Sequence, residues 1–193
     1  VGMDIELYST LVTTGLFLLT AGLVGCLALY ALVPAFKEHV NRHTYRQLYG
    51  AIAAIVAASI LGALVYQVLY ATPVCELCWW QRIFLFPIAI VALVAAWYRT
   101  KEAHVTVSVL ALIGLLYAVY HYYLHFQGLV LGNPLAVPCS SGGLLPACGD
   151  SPILTFGFVT IPFMGILVFI NLLILAFFVH QKVRSEGVIG VSN

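Results

Sequence analysis

The residues with the clearest chemical potential are in "CELCWWQR", Cys75 to Arg82, where two thiols three positions apart stand beside a tryptophan pair and an arginine. Thiols at this spacing can exchange electrons with another thiol pair by thiolate attack and a mixed disulfide. Pro73 stops a helix from running through the stretch, so a new helix is expected to begin at about Cys75 to Leu77. A helix start favours the thiolate, because its free N–H groups and its dipole stabilise negative charge. Cys75, Cys78, Trp79 and Arg82 are related by three, four and seven positions and are expected to share one helix face. Arg82 then lies one turn below Cys78, where its charge stabilises a thiolate or another anion, and Glu76 opposes it modestly. The alternative for Arg82 is a side chain that snorkels to the headgroups. Trp80 fits an interfacial aromatic belt.

A second pair, Cys139 and Cys148, lies in "AVPCSSGGLLPACGD", in a connection of about 25 residues. Its glycines and prolines suit a sulfur pair that another protein must reach. The plainer alternative is a static disulfide that pins the loop. A zinc site made from all four cysteines is disfavoured by an oxidising compartment and a mobile second pair, so no metal is expected.

The elements that must position these groups are membrane helices. Of 193 residues, 63% are hydrophobic and 8% charged, and the mean hydropathy is +1.05. A soluble domain carries roughly 25% charged residues. The chain is therefore expected to be an all-α integral membrane protein with five spans of about 20 residues or more. These fall within Tyr8 to Phe36, within Gln47 to Ala71, from about Leu77 to Tyr98, from Val105 to near Gln127, and within Pro152 to Val179. The first lacks a basic leader region and is longer than a signal peptide's apolar run, so it reads as a retained helix.

Basic residues favour the cytoplasmic ends of spans. Lys37, Arg42, Arg46, Arg99, Lys101, Lys182 and Arg184 fall on alternate ends, which puts both cysteine pairs and the N-terminus outside. The expected location is the cell membrane, multi-pass, with the cysteine pairs on its outer face. The net charge of +1 says nothing about partners, and no nucleic-acid partner is expected.

Exchange between sulfurs only moves electrons, so net oxidation needs a final acceptor. The chain has no G-x-G-x-x-G fingerprint and no soluble domain for a flavin, which leaves a quinone dissolved in the bilayer. The fourth span carries "LLYAVYHYYLHFQG", in which His121 and His125 share a face and could exchange protons with a quinone, or serve only as interfacial hydrogen-bond partners. Two ligands on one helix face cannot take opposite axial positions on a haem.

Taken together, "CELCWWQR" at a helix start, "YHYYLHFQ" on the next helix, a two-cysteine outside loop and "FGFVTIPF" opening the last helix resemble the DsbB-type disulfide bond formation proteins. The likeness is strongest to their short-loop branch, often called BdbC, and runs from about Gln47 to Val179. It implies a four-helix bundle, a membrane quinone (ubiquinone or menaquinone), and a soluble or tethered thioredoxin-like oxidase as partner. Cys75 and Cys78 would be the quinone-linked pair, with Cys78 nearest the quinone and Arg82 beside its oxygen. Trp79, His121 and His125 would complete the quinone side, with His121 the first choice of the histidines. Cys139 would form the mixed disulfide with the partner, and Cys148 would exchange with Cys75.

The family usually has four spans, so the first helix here is an addition, and Cys26 within it reads as a packing residue. Residues 1–46 are expected to form that helix and a cytoplasmic connection, 47–180 the redox bundle with an outside loop over 128–151, and 181–193 a cytoplasmic tail. The function implied is a protein-dithiol:quinone oxidoreductase that supports disulfide bond formation. The alternatives are a relative of vitamin K epoxide reductase, in which the loop pair precedes the C-x-x-C, and a structural membrane protein whose disulfides staple its loops.

Overall fold

A computed structural model of the chain describes residues 4–72, 74–132 and 153–190. In chain order the helices are α1 (Ile5–Leu32), α2 (Pro34–Arg42), α3 (Tyr45–Val68), α4 (Glu76–Tyr98), α5 (Ala103–His125) and α6 (Ile161–Gly190). A π-helical turn over Phe126–Val130 follows α5. Five helices, all but α2, are long and apolar enough to cross a membrane, so the fold is the all-α, five-span architecture that composition predicts.

Helix boundaries follow local chemistry. Pro34 cannot donate to the helix before it but suits a first helical position, so α1 ends at Leu32 and α2 begins anew. The first span is expected within Tyr8 to Phe36; the helix starts earlier, at Ile5, and the proline divides the end of that window. Helix α2 is a short polar helix with an exposed Arg42–Glu38 ion pair at 3.0 Å. Thr44 and Gln47 open α3 with a reciprocal capping box. Helix α4 closes on Arg99 in the left-handed region, where Thr100 N–H donates to the Ala95 carbonyl at 3.2 Å.

Helix α4 packs between α3 and α5, while α6 packs against α5, α3 and α1. In its most apolar window α6 is 61% buried and α1 only 6%, which makes α6 the central helix and α1 a peripheral one. Fully buried Tyr49, Ile52, Val56, Ile88, Val107, Phe169, Leu172 and Val179 form the interior. Lipid is as apolar as leucine, so close packing rather than water exclusion joins such helices. Gly114 on α5 shows how tight the fit is, since a Cβ there would lie 2.3 Å from Cε1 of Phe169. Gly114→Ala is expected to destabilise the protein by about 1–3 kcal/mol. Thermal unfolding in detergent would measure this, and an unchanged midpoint would mean that the two helices separate freely.

At the end opposite the C-x-x-C, Lys101 and Lys182 pair with Glu186 at 2.7 and 3.5 Å, and a ring nitrogen of His104 lies 3.1 Å from one of His180. At the C-x-x-C end, α1 is held by hydrogen bonds from Tyr66 to Ser9 at 3.1 Å and from Tyr8 to the Gly62 carbonyl at 3.2 Å. A cavity of about 620 Å³ lies between α1, α3 and α6, and neither cysteine of the pair lines it.

Candidate functional site

The connection from α3 to α4 turns back at Ala71, which adopts a left-handed φ of 49°. Thr72 fastens the turn: its backbone N–H and its hydroxyl both donate to the Tyr66 carbonyl, at 3.1 and 2.6 Å. The chain then enters α4 with Cys75 extended as the N-cap residue. One turn on, the Cys78 Sγ lies 3.4 Å from that of Cys75. As whole residues Cys75 is buried and Cys78 half-buried, so the pair faces inward at the helix start.

Cys75 faces α5. The His121 ring is wholly buried, with Nε2 3.3 Å from the Cys75 Sγ and Nδ1 2.9 Å from Nε2 of Gln81 on α4. With Gln81 donating to Nδ1, the ring carries its proton on Nε2 and donates it to the Cys75 sulfur. Gly165 on α6 makes room for Gln81, because a Cβ there would sit 2.6 Å from the amide oxygen. His125 is buried one turn further along, with its ring centroid 4.6 Å from that of His121.

Arg82 faces α3. The residue is 9% exposed, and its guanidinium donates from Nη1 to the Gln67 Oε1 at 2.7 Å and reaches the Ala63 carbonyl from Nη2 at 3.5 Å. It lies 5.2 Å from the centre of the Trp79 ring, and Trp79 itself is 45% exposed. The burial does not fit a side chain snorkelling outward. Among the described residues the salt bridges are Arg42–Glu38, Lys101–Glu186 and Lys182–Glu186, so no carboxylate there answers the charge of Arg82. Trp80 stacks on Tyr117 at 5.6 Å, away from the thiols, as a belt residue can.

The structure thus brings Cys75, Cys78, His121 and His125 together on the α5 side, and Arg82 and Trp79 on the α3 side of the same helix start. Cys139 and Cys148 lie outside the described residues. Cys26 packs against the hydrophobic interior from α1. Sequence reasoning missed Gln81 and Gly165. A polar side chain directly before Arg82, inside an apolar span, was the available signal for Gln81, whereas nothing separates Gly165 from other membrane glycines.

A family model described as disulfide bond formation protein DsbB matches residues 45–179. The chain belongs to the DsbB family. A probable disulfide formation protein of Coxiella burnetii (strain RSA 493 / Nine Mile phase I) is 34% identical over 142 residues, covering 73% of this chain and 89% of the relative. Disulfide bond formation protein C of Bacillus subtilis (strain 168) is 32% identical over 123 residues, or 64% of this chain and 83% of the relative. No solved structure matches. As a DsbB-family member, the protein is a multi-pass membrane oxidoreductase of disulfide bond formation. The family match leaves α1 and α2 outside it.

Within this DsbB-family site the Cys75 thiol is held well below the usual thiol range. The hydrogen bond from Cys78 is the largest cause; burial opposes it, and the hydrogen bond and charge of His121 add to it. A lowered thiol pKa leaves the thiolate populated as pH falls, until the lowered value is crossed. In reduced protein lacking the loop cysteines, thiolate ultraviolet absorbance is therefore expected to persist below about pH 7, where an ordinary thiol of pKa about 8.5 has lost it. His121→Leu should move the step upward. A step at the ordinary value in the parent would show that neither neighbour acts on Cys75.

Proposed function

We propose that this DsbB-family chain is a protein-dithiol:quinone oxidoreductase that reoxidises an extracytoplasmic thioredoxin-like disulfide catalyst. The observation that carries the reading is the Cys75–Cys78 pair at 3.4 Å on the first turn of α4, with the buried Arg82 one turn further in.

The donor set fits a quinone. A buried cation without a carboxylate needs another electron-rich partner. Arg82 has five N–H donors, and among the described residues Gln67 and Ala63 engage only two of its nitrogens. The half-exposed Trp79 ring beside it offers an apolar face at the lipid boundary. Arg82 and Trp79 would hold the quinone, with the histidines of α5 at the other side of the dithiol. When bound, a quinone, whether ubiquinone or menaquinone, supplies an acceptor for two electrons and two protons that sulfur exchange lacks.

The chain's own residues divide the remaining tasks. The reduced partner's thiolate attacks Cys139 of the Cys139–Cys148 disulfide, and the partner's second thiol closes its disulfide, which leaves the loop pair as thiols. Cys148 then attacks Cys75, breaking the Cys75–Cys78 bond, and Cys139 displaces Cys75 to restore the loop disulfide. Each exchange conserves one disulfide, so two electrons and two protons finish on Cys75 and Cys78. His121 stabilises Cys75 as the leaving thiolate, and Cys78, one turn into the helix beside Arg82, faces the acceptor. Both cysteine pairs are assigned to the outer membrane face, where a soluble or tethered partner would meet them.

The test is anaerobic quinone consumption by purified protein in detergent, with a reduced thioredoxin-like oxidase as donor. One quinone should be consumed per pair of donor thiols lost, and Cys139→Ser should stop this until an excess of small-molecule thiol is added. If neither quinone nor thiols are consumed, the disulfides are staples. Consumption that does not depend on Cys139 would remove the loop pair from the relay.

A further inference from the structure

We propose that, in the reduced protein, Cys75, Cys78 and His121 form a three-ligand site for a tetrahedral divalent metal ion, zinc above all, which withholds the dithiol from oxidation. Zinc from four cysteines is disfavoured by the sequence; the structure combines two of them with a histidine instead. The potential ligand atoms of the three residues all lie within 4.8 Å of one another.

Two of the three edges are close to those of a zinc cage. Zinc binds thiolate sulfur at about 2.3 Å and imidazole nitrogen at about 2.0–2.1 Å, so a tetrahedral site has sulfur–sulfur edges of about 3.8 Å and sulfur–nitrogen edges of about 3.5 Å. The observed edges are 3.4 Å between the sulfurs and 3.3 Å from the Cys75 Sγ to the His121 Nε2. The third edge, between the ligand atoms of Cys78 and His121, is within 4.8 Å, so an ion could enter after the two short edges spread by a few tenths of an ångström and the third settles near about 3.5 Å.

The surroundings suit such a ligand set. Both cysteines are anchored at the start of α4 and the histidine on α5, so helices rather than loops hold the ligands. C-x-x-C is also a common zinc-binding spacing. Cys78 is half-buried, so the cluster is not sealed from an incoming ion. Metal-bound histidine usually donates its second ring N–H to an orienting partner. Gln81 already lies 2.9 Å from Nδ1 of His121. Turning its amide over offers the oxygen as acceptor and leaves Nε2 free to bind metal.

Redox state then governs occupancy. In a Cys75–Cys78 disulfide the sulfurs are no longer thiolate ligands, so the site exists only when the pair is reduced. Binding displaces the thiol protons and involves no electron transfer. While the ion is bound, both sulfur lone pairs are engaged and the dithiol cannot be reoxidised. This block rests on the proposed thiol oxidation, but the binding itself does not.

Cobalt(II) is the probe, applied to detergent-purified protein carrying Cys139→Ser and Cys148→Ser and reduced with a phosphine. One equivalent should produce thiolate-to-cobalt charge-transfer absorption with tetrahedral ligand-field bands, and one equivalent of zinc should abolish both. Oxidation to the Cys75–Cys78 disulfide should abolish cobalt binding without any substitution in the site. His121→Ala should lower zinc affinity at least about tenfold, and Gln81→Ala by about 10–100-fold, as loss of an outer-shell partner does. Cys26→Ser should retain the bands.

The site is refuted if the reduced protein gives no such bands, if the oxidised protein binds equally well, or if His121→Ala binds as tightly as its parent. In the intact chain, zinc that binds but leaves thiol-dependent quinone reduction unchanged would overturn the block. Zinc binding to a protein that never oxidises thiols would keep the site and instead remove the proposed function.

Discussion

Cys78→Ser is expected to reduce thiol-dependent quinone consumption to background, a loss on the order of a thousandfold or more, as for removal of other covalent nucleophiles. Serine is close to cysteine in size, and Cys78 is half-buried on a helix whose other inward residues are untouched. The fold should therefore persist, and the loss would belong to the sulfur. The variant should also have a trapping phenotype. With no Cys78 to close a disulfide on it, the Cys75 thiolate can attack Cys148 of the oxidised loop and release Cys139 as a thiol, so a mixed disulfide between Cys75 and Cys148 is expected. It would appear as a mobility shift on a non-reducing gel that reductant removes. A serine variant with parental turnover would show that the acceptor takes electrons from elsewhere.

Arg82→Met is the second large effect. Methionine keeps the apolar reach of the side chain and removes the guanidinium, together with its hydrogen bonds to Gln67 and Ala63. Hydrogen bonds to a charged group contribute about 1.5–3 kcal/mol, so losing one to a quinone oxygen should raise the quinone KM about tenfold to a hundredfold. Exchange between the partner and the loop pair should not change, since in the proposed relay it precedes the step that uses Arg82. Measuring both separates the possible roles. A raised quinone KM with normal partner exchange assigns Arg82 to the quinone. A lower melting temperature with an unchanged KM would make Arg82 a structural link between α3 and α4.

The parts of this arrangement that were legible in the sequence are those fixed by short stretches of chain. The length and apolarity of each span give five membrane helices, and the start of α4 at Glu76 follows from Pro73 and the C-x-x-C spacing. The side of the dithiol on which each polar group would lie was not legible. Apolar residues surround these spans on every face, so the sequence carries little amphipathic pattern to fix rotation about the helix axis. His121 was therefore assigned only to a general quinone side, whereas in the structure its Nε2 lies on Cys75 and Arg82 turns away toward Gln67. Gln81 and Gly165 were missed for the same reason: their importance comes from a contact between α4 and α6 that local sequence does not encode. Helix α2 was not legible because its nine residues are too short and too polar to stand out as a span.

Helix α1 has a consequence for how a partner could be delivered. Its first turns pack at the same end of the bundle as the dithiol: Tyr8 lies against Tyr66 and Tyr70, only a short connection ahead of Cys75. A domain joined ahead of Asp4 would emerge beside the reactive sulfurs. Linking a thioredoxin-like domain there through a short flexible segment would turn a diffusional encounter into an intramolecular one, at an effective concentration of about a millimolar. In that arrangement, a weak docking surface would be enough to keep the partner oxidised.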